Sequence, residues 1–397
     1  MASAPDVTVL VATFNRAHCI AQALDSILGQ TLPPRQVIVV DDGSTDSTAE
    51  VLARYGDRIE VLRQRNGGKS NALNHAMPRA TGDYVWIFDD DDFALPHALE
   101  RHVPVLQAHP EIGFTYGTGY VVDAGEDGVH RRHRLKPLPE FARDGERDET
   151  FPRLLEFNFM PQQAVLARRS CYREVGPFDE RLLFSQDYDM MLRLTRRFAC
   201  RRVEEPTFIY VQHHGLRGAA ADRFGRTERE VRWLQDDRTV VGKLYPDLAL
   251  RECLPGGQLR GELSAADIRR ARLQRMCFAV RRGLWAFGWD DLRLACEVLP
   301  DKSLSIDERR ICAAALDVYL RRYVAMDSLV ADREMARRVE RVGRRGPHSR
   351  RPSVGREIRR EWAGMFRRYG MKGRPYGRAA SALRYAARLV TEEGQVT

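Results

Sequence analysis

One unit recurs four times in the first 108 residues: an apolar run, then a polar cluster, then a stretch of helical periodicity. The apolar runs are Val7–Ala12, Val37–Val40, Ile59–Leu62 and Asp83–Phe88. They are nearly continuous rather than alternating, as expected for strands buried on both faces of a parallel sheet. Helices are predicted over Ala17–Gln30, Ser47–Tyr55, Gly67–Arg79 and Pro96–Ala108, the first stopped by Pro33 and Pro34. Strand–helix alternation at this spacing specifies βαβ units and a Rossmann-like, mostly parallel α/β sheet flanked by helices. Ligands of such sheets sit beyond the carboxyl ends of the strands. Three polar clusters fall there: Thr13–Arg16, Asp41–Asp46 and Asp89–Asp92.

The remainder reads less regularly. Strands are predicted over Phe114–Val122 and Phe208–Gln212, a helix over Asp187–Phe198, and a mobile loop over Asp123–Asp148. No strand pattern appears beyond about Arg226; residues 228–330 are helical in period, broken at Pro246, Pro255–Gly257 and Pro300. Three segments are expected: 1–227, whose halves are about 1–110 and 111–227; a helical region, 228–342; and a basic tail, 343–397. Apolar pairs in the helical region, Leu284 with Phe287 and Trp285 with Trp289, call for a surface to bury them, expected on the segment 1–227.

Charge is unevenly placed. Residues 331–397 hold 18 Arg or Lys and 7 Asp or Glu, an excess of eleven positive charges against nine for the whole chain. The first 330 residues therefore sum to two negative charges, and the basic character belongs to the tail. Seven scattered cysteines without a C-x-x-C pair suit reduced thiols in a cytosol. No apolar run reaches the roughly 18–20 residues of a membrane helix, and the N-terminus lacks a signal pattern. A cytoplasmic protein is expected, peripheral on the inner face of the membrane if the tail meets lipid.

Four consecutive aspartates repel one another at close range, so the cluster calls for a cation or solvent. In an extended segment Asp89 and Asp91 would share a face, and carboxylate oxygens of that kind suit Mg²⁺ or Mn²⁺ shared with a phosphate. A solvated acidic turn is the plainer alternative. In Asp41–Asp46, Ser44 or Asp46 would cap the next helix, while Asp42 is placed to accept from a base or ribose. Gly67-Gly68-Lys69-Ser70 resembles the end of a phosphate-binding loop, but Arg63 stands where that loop needs its first glycine. Lys69 at a helix N-terminus can still meet a diphosphate. Asp187 is readable as a helix cap, and His213 and His214 as a strand exit that offers a metal ligand or an acid–base group.

Taken in order, Val11–Arg16 (VATFNR), Val40–Asp46 (VDDGSTD), Gly82–Asp92 (GDYVWIFDDDD), Gly176–Glu180 (GPFDE) and Gln186–Asp189 (QDYD) resemble the family-2 nucleotide-sugar glycosyltransferases of GT-A fold, over about residues 6–225. The resemblance implies that Thr13, Asn15 and Arg16 line the nucleotide and that Asp42 binds the base. It implies that Asp89 and Asp91 are the D-x-D pair, on the ribose and the metal, and that Asp187 is the general base of an inverting transfer. Gln186 stands where the family often has Glu. His213 falls where many members place a histidine near the diphosphate and metal, with His214 as the alternative. The implied donor is a nucleotide sugar, UDP-linked by default. The implied cofactor is Mn²⁺ or Mg²⁺, and the acceptor is a hydroxyl of a polysaccharide, glycolipid or natural-product precursor. The competing classes are another nucleotide-dependent transferase and a catalytically inert member that binds an anionic partner.

In the tail, Trp362, Phe366 and Tyr369 share one helical face beside Arg359, Arg360, Arg367 and Arg368, which suits an interfacial helix on anionic lipid. Nucleic acid is not the expected partner. Sedimentation with liposomes should show salt-sensitive binding to anionic but not neutral vesicles, lost on truncation at Gly343. No binding at low salt would assign the aromatic face to the protein itself.

Overall fold

The computed structural model describes residues 6–123, 136–137, 150–212, 226–254, 261–300 and 302–322. His213, His214, the tail from Gly343 and most of Asp123–Asp148 lie outside the described residues. The chain divides into two compact units, Met1–Arg229 and Glu230–Thr397.

The first unit is built on one sheet. Strands β1 (Val7–Thr13), β2 (Gln36–Asp41), β3 (Glu60–Arg63) and β4 (Tyr84–Asp89) run parallel in the spatial order β3-β2-β1-β4. Beyond β4 the sheet becomes mixed. A two-residue strand β5 (Phe93–Ala94) leaves the acidic run, and β6 (Phe114–Asp123), β7 (Lys136–Pro137), β8 (Val165–Arg168) and β9 (Cys200–Gln212) complete the order β4-β8-β6-β9-β5, with β7 on β6. β8 is antiparallel to both its neighbours, whereas β6 and β9 pair in parallel. Lys136 and Pro137 thus form a strand inside the segment expected to be loop, because Tyr120 and Val121 offer a pairing edge.

Burial explains the continuous apolar runs. Val9, Leu10 and Val11 of β1 and Ile38, Val39 and Val40 of β2 have no solvent exposure, because helices cover the sheet. Helix α1 (Ile20–Leu28) buries Ile20, Ala23, Leu24 and Ile27, one face at helical spacing, against Val7, Val9, Val11 and Trp86. The other helices of this unit are α2 (Thr48–Ala53), α3 (Lys69–Ala76), α4 (Ala98–Ala108), α5 (Thr150–Glu156), α6 (Arg169–Val175) and α7 (Gln186–Arg197). Between β1 and β4 the order of the strands reverses, and a crevice opens at the carboxyl ends of strands where this happens.

The second unit is helical: α8 (Arg226–Leu244), which begins in the first unit, then α9 (Ala265–Arg281), α10 (Trp285–Val298) and α11 (Ile306–Arg322). Its interior holds Leu273, Met276, Phe278 and Val280 around charged pairs. Arg269 donates to both carboxylate oxygens of buried Glu308 at 2.7 and 2.8 Å, and to the carbonyls of Leu299, Lys302 and Ser303. Asp291 is held by Arg272, Arg275 and the Tyr245 hydroxyl. Trp289 is buried and Phe287 stacks on Tyr245 with ring centroids 4.9 Å apart. Among the described residues no helix is long and apolar enough to cross a membrane, and the seven cysteines are unpaired.

Gly43, after β2, has a φ of +80°, and a Cβ there would stand 2.8 Å from the amide nitrogen of Asn66. Gly43→Ala should cost about 1–3 kcal/mol through strain and close approach. A melting temperature several degrees below that of the wild type would show it; an unchanged one would mean that the turn relaxes freely.

Candidate functional site: an acidic rim at the strand reversal

The loops after β1, β2 and β4 meet at the crevice, and the first two lock each other. Asn15 adopts a left-handed φ of 54°, which aims its side chain back at the β2 loop. Its Oδ1 accepts from the amides of Thr45 and Asp46 at 2.8 and 3.3 Å, and its own amide donates to Ser44 Oγ at 3.0 Å. Ser44 therefore serves the β1 loop rather than capping α2. That task falls to Asp46, which accepts from the amide and hydroxyl of Thr48. The carbonyl of Thr13 accepts from the Asp42 amide at 2.9 Å.

Asp42 is buried and engaged. Its carboxylate accepts from the amides of Gly67 and Gly68 at 2.8 and 2.7 Å and from Gln64 Nε2 at 2.8 Å. It thereby fixes the turn that starts α3, where Gly68 has a φ of +87° and Lys69 is the first helical residue. The Lys69 ammonium donates to Asp89 Oδ1. Burial opposes its charge most, but Asp89, Asp187 and Asp90 together hold its pKa above the ordinary lysine value.

β4 ends at Asp89, and the acidic run then turns instead of staying extended. The alternation expected to put Asp89 and Asp91 on one face does not operate here. The turn itself gathers Asp89, Asp91 and Asp92, with ligand oxygens all within 4.8 Å of one another. The cause of the turn is Asp92, which is 1% exposed. Its Oδ1 accepts from the amide of Val211 in β9 at 2.7 Å, and its Oδ2 from Gln163 Nε2 at 2.5 Å, just ahead of β8. Asp92 thus ties the acidic end of β4 to two other strands.

The Arg16 guanidinium lies 3.5 Å from Asp90 and 3.6 Å from Asp91. Asp90 foremost, opposed by burial and aided by Asp91, holds Arg16 above its already high ordinary value. Burial foremost pushes Asp90 up to about 6, Arg16 opposing and Asp91 and Asp89 adding. Four carboxylates thus face two cationic side chains, which leaves two formal negative charges. That residue of charge suits one divalent cation, with Asp89 and Asp91 as oxygen donors and Asp92 as their support.

Asp187 arrives from the far half of the unit. Ser185, with a left-handed φ of 56°, starts α7, and Asp187 lies in its first turn, half-buried, accepting from the amide of Tyr188 at 2.7 Å. The next acid of the motif, Asp189, is buried on Arg193 at 2.8 Å, and Arg193 also binds the carbonyls of Val175 and Gly176. A clamp that sequence reading missed sets α3 against the approach to α7. Asn74 Oδ1 accepts from the Phe178 amide at 2.8 Å, and Asn74 Nδ2 donates to Phe178 O and Glu180 Oε1 at 3.0 and 2.8 Å. Asn71 Nδ2 reaches Glu180 Oε2 at 3.0 Å. The only hint in the sequence was that Gly176–Glu180 belongs to the resemblance without bearing a chemical role.

The two buried acids of the cluster should separate on substitution. Asp92→Ala strands the Val211 amide and the Gln163 side chain, and should cost about 1–3 kcal/mol in a denaturant titration. Asp91→Asn removes like-charge repulsion and should leave stability unchanged or raised. Equal losses for both would contradict the division of roles.

Residues 8–176 match the family model described as glycosyl transferase family 2. RT0329 of Rickettsia typhi, named an uncharacterized glycosyltransferase, is 28% identical over 192 residues, which cover 48% of this chain and 59% of that protein. EpsE of Bacillus subtilis, also named a glycosyltransferase, is 35% identical over 145 residues, 35% of this chain and 51% of that protein. The chain thus spans a little over half the length of these relatives. A crystal structure of S. aureus TarS residues 1–349 in complex with UDP-GlcNAc superposes with a TM-score of 0.52 at 17% identity, covering 87% of this chain and 93% of that one, a likeness of fold. Residues 8–176, which carry the whole acidic rim up to the approach to Asp187, belong to glycosyl transferase family 2.

Proposed function

We propose that this chain is a metal-dependent, inverting glycosyltransferase that moves a sugar from a nucleotide diphosphate to an acceptor hydroxyl, with Asp187 as the general base. The observation that carries the reading is electrostatic. Asp187 acts on the Lys69 ammonium, which itself sits on Asp89 at the acidic rim. On this reading Asp187, carried by α7, stands beside the place where a diphosphate would lose its sugar. UDP is the default nucleotide that the family resemblance implies.

The residues fit a divalent cation, since the oxygens of Asp89 and Asp91 converge while those of Asp92 are already engaged. Mg²⁺ or Mn²⁺ held there would supply the positive charge that binds the diphosphate and offsets the charge developing on it. The chain's own residues do the rest. Asn15 and Asp42 shape the nucleotide side by fixing the loops after β1 and β2 and the turn into α3. Lys69 and Arg16 can swing from their aspartates to the diphosphate, each exchanging one anionic partner for another. An acceptor hydroxyl has a pKa far above 7, so it must lose its proton as it attacks, and Asp187 takes that proton. A single displacement with one base inverts the anomeric carbon, unlike a retaining glycosidase, which uses a carboxylate nucleophile and an acid about 5 Å apart.

Asp187→Asn keeps an oxygen for the Tyr188 amide but cannot take up the proton. It should lower kcat by ~10²–10⁴ while nucleotide affinity stays within about threefold. Near-normal turnover would return Asp187 to a helix-capping role.

A further inference from the structure

One side chain beside the rim is left without the partners that its burial demands. The 3-10 turn Gln162–Ala164 leads into β8 and is bolted to β4: the Gln163 carbonyl accepts from Trp86 Nε1 at 2.8 Å, and Gln163 Nε2 donates to Asp92. Because Trp86 pairs antiparallel with Leu166, the residues before Leu166 run toward the Asp89–Asp92 end of β4. Gln162 is 1% exposed, and neither its Nε2 nor its Oε1 has a hydrogen-bond partner among the described residues. Gln163 Oε1 and Gln186 Oε1, the latter one residue before Asp187, are unpartnered as well. Buried amides are almost always satisfied, and a methionine would fill the same space without the penalty.

We propose that the Gln162 carboxamide binds a hydroxyl of the transferred sugar, and so helps decide which sugar is taken; this rests on the function proposed above. A carboxamide offers one donor and one acceptor group side by side, and a sugar hydroxyl both donates and accepts. The position agrees. The nucleotide side of the rim is built by the loops after β1 and β2 and the diphosphate side by Asp89 and Asp91, so a donor laid across the sheet places its sugar toward β8. The neighbouring residues Asn158, Phe159 and Pro161 are half-buried, which brings the turn to the surface beside the amide. A site built to hydrogen-bond a hydroxyl discriminates strongly against an analogue that lacks it.

Gln162→Met tests this, because it keeps the length of the side chain and removes both polar atoms. The probe is whichever of UDP-glucose, UDP-N-acetylglucosamine and GDP-mannose the wild type hydrolyses fastest with Mn²⁺, with the parent diphosphate as control. The variant should melt at or above the wild-type temperature, since an unsatisfied amide has gone. Its kcat/KM for the sugar nucleotide should fall at least tenfold, while its Kd for the parent diphosphate stays within twofold. A lower melting temperature, or failure to fold, would mean that buried water satisfies the amide, and would overturn the proposal. So would an unchanged kcat/KM at any melting temperature. A wild type that neither binds a diphosphate nor hydrolyses any of the three probes would overturn the transferase reading itself, and this inference with it.

Discussion

Crowding of like charge at the end of β4 is the constraint around which this site is arranged. Four carboxylates in sequence would repel one another strongly if left to themselves. The fold answers in three ways. It turns Asp92 inward onto the Val211 amide and Gln163, supplies Arg16 to Asp90 and Asp91, and supplies Lys69 to Asp89. None of these cations comes from β4 itself, so the loop after β1 and the start of α3 must both be in place before the rim is tolerable. The hydrogen bonds of Asn15 and Asp42 meet that requirement, since they fix the two loops from which Arg16 and Lys69 project. Because that compensation comes from side chains that can move, it is compatible with the diphosphate and cation we propose for this site.

The second requirement is that Asp187, the base we propose, and the rim keep a fixed relation although they lie about one hundred residues apart in sequence. Asn71 and Asn74 on α3 grip Phe178 and Glu180, a few residues ahead of α7. Lys69 and Asp187 are thus carried by two helices, one of which is hydrogen-bonded through this short clamp to the approach to the other.

How much of this could be read from the sequence depended on the range of the interaction. The parallel strands and their helices were legible because full burial leaves a local mark, the continuous apolar run of Val7–Ala12 or Val37–Val40. β8, four residues long, and the seven-residue helices α5 and α6 were not, being too short to show a period. β9 begins at Cys200, well before the expected Phe208, because Arg201, Arg202, Glu204 and Glu205 hide its strand character. Within the site, Asp89, Asp91 and Asp187 were singled out through the resemblance. The turn of the aspartate run was not, since its cause, the Val211 amide, is 119 residues away. The scaffold tasks of Asn15 and Asp42 and the orphaned amide of Gln162 were equally hidden, because nothing local distinguishes a side chain that holds a distant loop from one that faces a ligand.

The central claim is that the two uncompensated charges of this rim bind a nucleotide diphosphate through a divalent cation. Calorimetric titration of the whole chain with UDP, GDP and dTDP, in Mn²⁺ and again in excess EDTA, tests it most directly. At least one diphosphate should bind in Mn²⁺ and lose ~tenfold or more of its affinity in EDTA, about 1.4 kcal/mol or more. Equal affinity under the two conditions would contradict the account.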